Sequence, residues 1–192
     1  MHGDARLARI GAVLEEAAGL HEAVRRGDLR PVLAAVDALE AAFARGGKAL
    51  IFGNGGSAAD AQHVAAELVG RLRRSRAARP AVALSSDASV MTAIANDTGY
   101  DRVFARQIEA LGAPGDVAIG ISTSGGSPNV VHGLDAARSR GLTTIALTGR
   151  DGGRAGTLAH VHVNVPHESA ARVQEVQRTL LHAICELIED AI

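Results

Sequence analysis

The pattern of apolar and polar positions changes texture at Gly46-Gly47. Before that point, residues 1–45 are rich in Ala, Leu, Glu and Arg, and apolar positions recur at the three- and four-residue spacing of a helix. Gly27-Asp28 interrupts the pattern where Pro31 can open a second helix, so the segment predicts a helical hairpin. Beyond it, short apolar runs alternate with Gly- and Ser-rich turns and with helical stretches. Five runs predict strands: Ala49 to Phe52, Ala81 to Leu84, Val117 to Ile121, Thr143 to Leu147 and Val161 to Val165. Each is short and mostly apolar, as buried parallel strands are. Helices are expected at about residues 57–72, 89–95, 101–111, 128–140, 153–159 and 170–188. The alternation predicts an α/β fold, a doubly wound, five-stranded parallel sheet flanked by helices with the helical hairpin at its N-terminus. Crossovers in such a sheet are right-handed and ligands sit at the carboxyl ends of the strands.

Length and composition narrow the picture. A chain of 192 residues suits a single domain, with a hairpin over 1–45 and an α/β core over 46–192. One cysteine, Cys185, excludes a disulfide framework and suggests a reducing compartment, so a cytoplasmic protein is expected. Cys185 falls in the apolar pattern of the last helix and reads as core packing. No apolar run is long enough to span a membrane, and Met1-His2-Gly3-Asp4-Ala5-Arg6 lacks the apolar stretch of a signal peptide. With a net charge of −1 and 2% aromatic residues, no nucleic-acid partner is expected. The one local exception is the stretch from Arg71 to Arg79, with arginines at 71, 73, 74, 76 and 79. It reads as a solvated helix end whose cations oppose the negative pole of the helix dipole, rather than as a basic patch.

Two loops carry candidate chemistry. Gly53-Asn54-Gly55-Gly56-Ser57 lies between an apolar strand and an Ala-rich helix, where glycines bring N–H groups to a ligand and a helix N-terminus favours an anion. Asn54 and Ser57 add side-chain hydrogen bonds. Gly53, Gly55 and Ala58 also satisfy the loose dinucleotide pattern G-x-G-x-x-A, but the first acidic residue after the next strand, Asp87, lies well beyond the expected spacing. Ser122-Thr123-Ser124-Gly125-Gly126-Ser127-Pro128 repeats the design after a later strand. Its four hydroxyls exceed what capping one helix requires, and it lacks the Gly-Lys-Ser/Thr of a nucleotide triphosphate loop, so it predicts a phosphate cradle.

Behind the first loop, His63 and Glu67 are four residues apart and share a helix face. On the last helix, Gln174 and His182 are eight apart, on neighbouring faces. If the two helices meet, a carboxylate, two imidazoles and an amide oxygen converge, a donor set suited to a divalent metal such as zinc. The bland alternatives are a solvated His–Glu pair and a hydrogen-bonded core histidine. The remaining histidines, at 2, 21, 132, 160, 162 and 167, form no comparable constellation.

The run Gly53-Asn54-Gly55-Gly56-Ser57-Ala58-Ala59-Asp60-Ala61-Gln62-His63, with Glu67 behind it, resembles the phosphoheptose isomerases of the sugar-isomerase (SIS) family. Further stretches agree in order: Ala95-Asn96-Asp97, Gly120 to Gly125, Leu147 to Gly153, and Arg172-Val173-Gln174-Glu175 with His182. The resemblance implies the SIS fold and conversion of sedoheptulose 7-phosphate to D-glycero-D-manno-heptose 7-phosphate for activated heptose. It also implies one zinc ion per subunit and a homotetramer with shared active sites. By position, Asn54, Gly55, Gly56, Ser57, Glu67, Asn96, Asp97, Ser122, Thr123, Ser124, Ser127 and Gln174 contact substrate. His63, Glu67, Gln174 and His182 hold zinc, and Glu67 and His182 exchange protons with the sugar through an enediol. Two departures stand out: Gly126 replaces a common Asn, and Gln177 replaces a frequent His. The rivals are a non-catalytic SIS adaptor that binds the bacterial replication initiator, and an isomerase of another sugar phosphate. The adaptors lack the acid and the last-helix histidine, both present here.

Overall fold

The computed structural model describes residues 3–190. Five parallel strands form one sheet in the order β2-β1-β3-β4-β5. They are β1 (Ala49–Gly53), β2 (Ala81–Ala83), β3 (Val117–Ser122), β4 (Thr143–Gly149) and β5 (Val161–Val165). Around them lie α1 (Gly3–Arg26), α2 (Arg30–Ala44), α3 (Gly56–Val69), α4 (Ala88–Thr98), α5 (Val103–Leu111), α6 (Pro128–Ser139), α7 (Gly153–Leu158) and α8 (Ala170–Asp190). A 3₁₀ turn, Tyr100–Arg102, precedes α5.

Strand alternation sorts the core into two layers. Ala49, Ile51, Val117, Ile119, Ile121, Ile145 and Leu147 face α2, α3 and α8. Leu50, Phe52, Ala118 and Ala146 face α4, α5, α6 and α7, where the Phe52 ring meets that of Phe104. β1 and β3 are buried at every position, as continuous apolar runs require. The edge strands are the exceptions, with Val82 of β2 exposed and Val161, His162 and Asn164 of β5 half-buried.

Every predicted strand and helix is present, with ends moved by a few residues. Two expectations change. The N-terminal helices form, but α1 lies mainly against α8 rather than along α2, and among its described residues only Leu20 is buried. Arg172 ties it down, donating from Nη1 to the carbonyl of Val13 at 2.8 Å. The arginine stretch is not simply solvated. α3 ends at Val69, and the Arg76 side chain is buried, its guanidinium bonded to carbonyls of the helix end. The cations do oppose the dipole, but Arg76 does so from inside the protein.

Strand order reverses between β1 and β3, which run to opposite sides of the sheet from that point. In open α/β sheets this switch opens a crevice at the carboxyl ends of the two strands. The loops after β1 and β3 are the two Gly- and Ser-rich loops singled out by the sequence.

Candidate active site

Close approach shapes the first loop. A Cβ on Gly53 would stand 2.7 Å from both the Ile121 carbonyl oxygen and the Ser57 Cβ, so only glycine lets β1 pass into α3 beside β3. Gly55 has φ +55° and starts α3 with no side-chain cap. The amides of Gly55 and Gly56 find no backbone acceptor among the described residues, which leaves donors for an anion at the helix N-terminus. Asn54 reaches across the switch point. Its Nδ2 donates to Asn129 Oδ1 and receives Asn129 Nδ2 on its own Oδ1, both at 2.8 Å, while the Tyr100 hydroxyl donates to the same Oδ1 at 3.2 Å.

In the second loop the hydroxyls bond to one another instead of capping α6. Ser122 Oγ lies 3.0 Å from Ser127 Oγ and 3.4 Å from Ser124 Oγ. No side chain caps α6 at Ser127. Capping therefore does not account for this cluster, whose hydroxyls could receive a phosphate. Gly125, at φ +65°, presses against Gly152 and Gly153 and accepts from the Ala155 amide at 2.8 Å, so the start of α7 braces the loop. His162 braces that turn from below. Thr148 Oγ1 donates to Asn164 Oδ1 at 2.8 Å and so accepts from His162 Nε2 at 2.6 Å, while the imidazole lies against Gly152 and Gly156. Burial pushes the His162 pKa down, which favours the neutral ring.

The candidate titratable side chains come from α3 and α8, which run in the same direction and meet in rungs. The Gln174 amide lies against Gly56, where a Cβ would be 2.7 Å from Nε2. One turn on, Arg178 donates from Nε at 2.8 Å and Nη2 at 2.5 Å to Oδ1 of buried Asp60. Next, His63 Nε2 and His182 Nε2 lie 2.8 Å apart, with the rings edge to face. His63 Nε2 is also 3.6 Å from Glu67 Oε1, and Glu67 Oε2 is buried with no protein partner.

The structure thus joins His63, Glu67 and His182, and sets Gln174 apart from them at the loop end of α3. Asn96 and Asp97 bond to each other at 2.9 Å and stand exposed on α4 in the single chain. For a divalent metal, the donor chemistry fits: two imidazole nitrogens face each other beside an unpartnered buried carboxylate oxygen. Among the described residues, no three His, Cys, Asp or Glu side chains yet surround one point as ligands would.

A family model for the SIS domain matches residues 14–149. The phosphoheptose isomerase of Aquifex aeolicus (strain VF5) is 55% identical over 147 residues, covering 77% of each chain. The solved phosphoheptose isomerase from Neisseria gonorrhoeae superposes with a TM-score of 0.91 at 43% identity, covering 96% of this chain and 98% of that one. The chain belongs to the phosphoheptose isomerase family of SIS proteins. A second phosphoheptose isomerase structure, from Francisella tularensis, keeps the fold at 30% identity with a TM-score of 0.93, covering 96% of this chain and 98% of that one.

Residues 14–149 hold both loops, His63 and Glu67, whereas α8, with Gln174 and His182, lies beyond them. Site residues that sequence reasoning missed are Asn129, Tyr100, Arg178 and Asp60. Asn129 had a signal, since it directly follows the hydroxyl loop and stands 2% exposed. Arg178 had none beyond its place midway between Gln174 and His182. Of the two family departures, Gln177 is fully buried, its Nε2 donating to the Thr148 carbonyl at 3.0 Å, so it braces β4.

Proposed function

We propose that the chain isomerises sedoheptulose 7-phosphate to D-glycero-D-manno-heptose 7-phosphate through an enediol. Its place in the phosphoheptose isomerase family supports the reaction class. The observation that carries the mechanism is the meeting of Glu67, His63 and His182 further along α3, the helix that opens from the first of two loops free to receive a phosphate.

The hydroxyls of Ser122, Thr123, Ser124 and Ser127 and the open amides of Gly55 and Gly56 supply donors for the phosphate and sugar oxygens. Asn54, Ser57, Asn96, Asp97 and Gln174 complete the substrate contacts. Glu67 takes a proton from C1 of the open-chain ketose as the C2 carbonyl oxygen gains one, leaving a C1=C2 enediol. His182 delivers a proton to C2 while O1 gives up the one that O2 took, and the aldehyde forms at C1. Each turnover leaves Glu67 with a proton gained and His182 with one lost. His63, within 3.6 Å of the first, 2.8 Å of the second and open to solvent, would reset both by exchange with water.

His63, Glu67 and His182 are the side chains that would hold zinc, one ion per subunit, when they are not carrying a proton, and Gln174, at the loop end of α3 in the single chain, would complete the set by moving toward them. When bound, the metal would polarise the carbonyl and hydroxyl oxygens of the substrate.

The active assembly is a homotetramer with shared sites, in the cytoplasm. α1 supports this. Leu7, Ile10 and Leu14 form a stripe along it, 68%, 57% and 65% exposed in the single chain, which a second copy would cover. No described helix is long and apolar enough to cross a membrane.

Comparing pentulose, hexulose and heptulose phosphates in one isomerisation assay tests the substrate assignment. A clear preference for the heptulose phosphate is expected. Preference for a shorter sugar would replace the substrate while leaving the chemistry in place.

A further inference from the structure

Between α3 and β2 the chain makes an excursion that returns beneath the end of α3. Arg76 anchors it. Its side chain is 2% exposed, with Nη2 donating to the Glu67 carbonyl at 2.7 Å and Nη1 to those of Leu68 and Ala77 at 2.8 and 3.0 Å. Glu189 of α8, also 2% exposed at its side chain, closes the other side. It accepts the amides of Leu72, Arg73 and Arg74 at 2.7, 3.0 and 3.1 Å, and its Oε1 is 3.6 Å from Arg76 Nε. Burial pushes the Glu189 carboxyl up, but the amide donors and the Arg76 charge outweigh it and hold it below the usual range.

This is more than a helix needs in order to stop. The Gly70 amide already closes α3 on the Ala66 carbonyl at 2.8 Å. Burying a guanidinium and a carboxylate together costs desolvation that a solvated end would avoid. Two features tie the clamp to chemistry. The carbonyl it holds belongs to Glu67 itself. It also fastens together the same two helices whose other rungs are Gly56 with Gln174, Asp60 with Arg178 and His63 with His182.

We infer that Arg76, held by Glu189, is a positioning residue for the isomerisation: it fixes the last turn of α3 against α8, and so keeps the Glu67 carboxylate opposite His63 and His182. The inference rests on Glu67 as the base. A misplacement of about 1 Å at a reacting group costs on the order of 10²-fold in rate. A clamp that served folding alone would instead lower the folded fraction and leave the rate per folded molecule unchanged.

The test uses the full chain with Arg76→Lys, Arg76→Ala, Glu189→Gln and Glu67→Gln. Isomerisation kinetics, thermal melting and amide exchange are read together. Arg76→Lys keeps the charge but loses the forked donation to the Glu67, Leu68 and Ala77 carbonyls, so it decides the matter if Arg76→Ala does not fold. The expected result is a fall in kcat of about 10- to 100-fold with KM within about twofold. Guanidinium ion restores part of kcat to Arg76→Ala and none to Glu67→Gln, and the amides of Leu72 to Arg74 exchange faster in Glu189→Gln. A folded Arg76→Lys with wild-type kcat overturns the inference when Glu67→Gln is inactive. Turnover in Glu67→Gln overturns the reading beneath it, because there is then no base to position.

Discussion

Glu67 turns one carboxylate oxygen toward His63, 3.6 Å away, and buries the other with no protein partner. An unpartnered buried acceptor is costly, and such orphans persist where a ligand or a proton completes them. Glu67→Gln keeps the shape and removes the base, so turnover should fall by roughly 10³-fold or more while the melting curve stays close to that of the wild type. His182→Ala should do the same, and substantial activity in either folded variant would remove its assigned role. In the phosphate loop, Gly125→Ala puts a Cβ against Gly152 at a backbone angle of φ +65°. Displacing the loop should weaken sugar-phosphate binding by about tenfold, or 1.4 kcal/mol, more than it alters kcat, as titration calorimetry with the substrate would measure.

Helices and strands place these groups, and most of that placement was legible in the sequence. Continuous apolar runs such as Ala49 to Phe52 announced buried strands, and the Gly- and Ser-rich breaks announced both loops. The pairing of α3 with α8 was less legible, because spacing within each helix reveals which residues share a face but not which faces meet. Asp60–Arg178 and Arg76–Glu189 went unread for that reason, their partners lying on distant segments. Asp116 shows a similar long-range tie at the start of the sheet. It accepts Lys48 Nζ at 2.6 Å and the amides of Lys48 and Ala113, both at 2.9 Å. Burial pushes its carboxyl up, but Lys48 and the amides outweigh that and hold it below the ordinary 3.8. A lowered folded-state pKa contributes stability that is fully present above the unfolded value and is lost as pH falls through the folded one. Asp116→Ala should cost about 2–3 kcal/mol at neutral pH. That is a drop of about 5–10 °C in Tm, and the gap between variant and wild type should close as pH falls below 3.8.

At the scale of the whole molecule, the switch point between β1 and β3 explains why two loops from distant segments meet, Asn54 of the first pairing with Asn129 behind the second. In the proposed assembly, the exposed stripe of Leu7, Ile10 and Leu14 is the face that a second copy would cover. Sedimentation should give a tetramer for the wild type and a smaller species for Leu14→Asp, whereas a monomeric wild type would contradict the shared-site assembly. Metal stripping should lower activity and zinc should restore it if His63, Glu67, Gln174 and His182 hold the ion, with zinc uptake by His63→Ala as the matching binding measurement. Proton transfer between C1 and C2 by Glu67, His63 and His182 is tested most directly by isomerisation of sedoheptulose 7-phosphate in deuterium oxide, followed by NMR. Aldoheptose phosphate carrying solvent deuterium at C2 is expected, and none from Glu67→Gln. A folded, zinc-supplied protein that binds the sugar phosphate without turning it over, or product with no solvent deuterium at C2, would contradict that transfer.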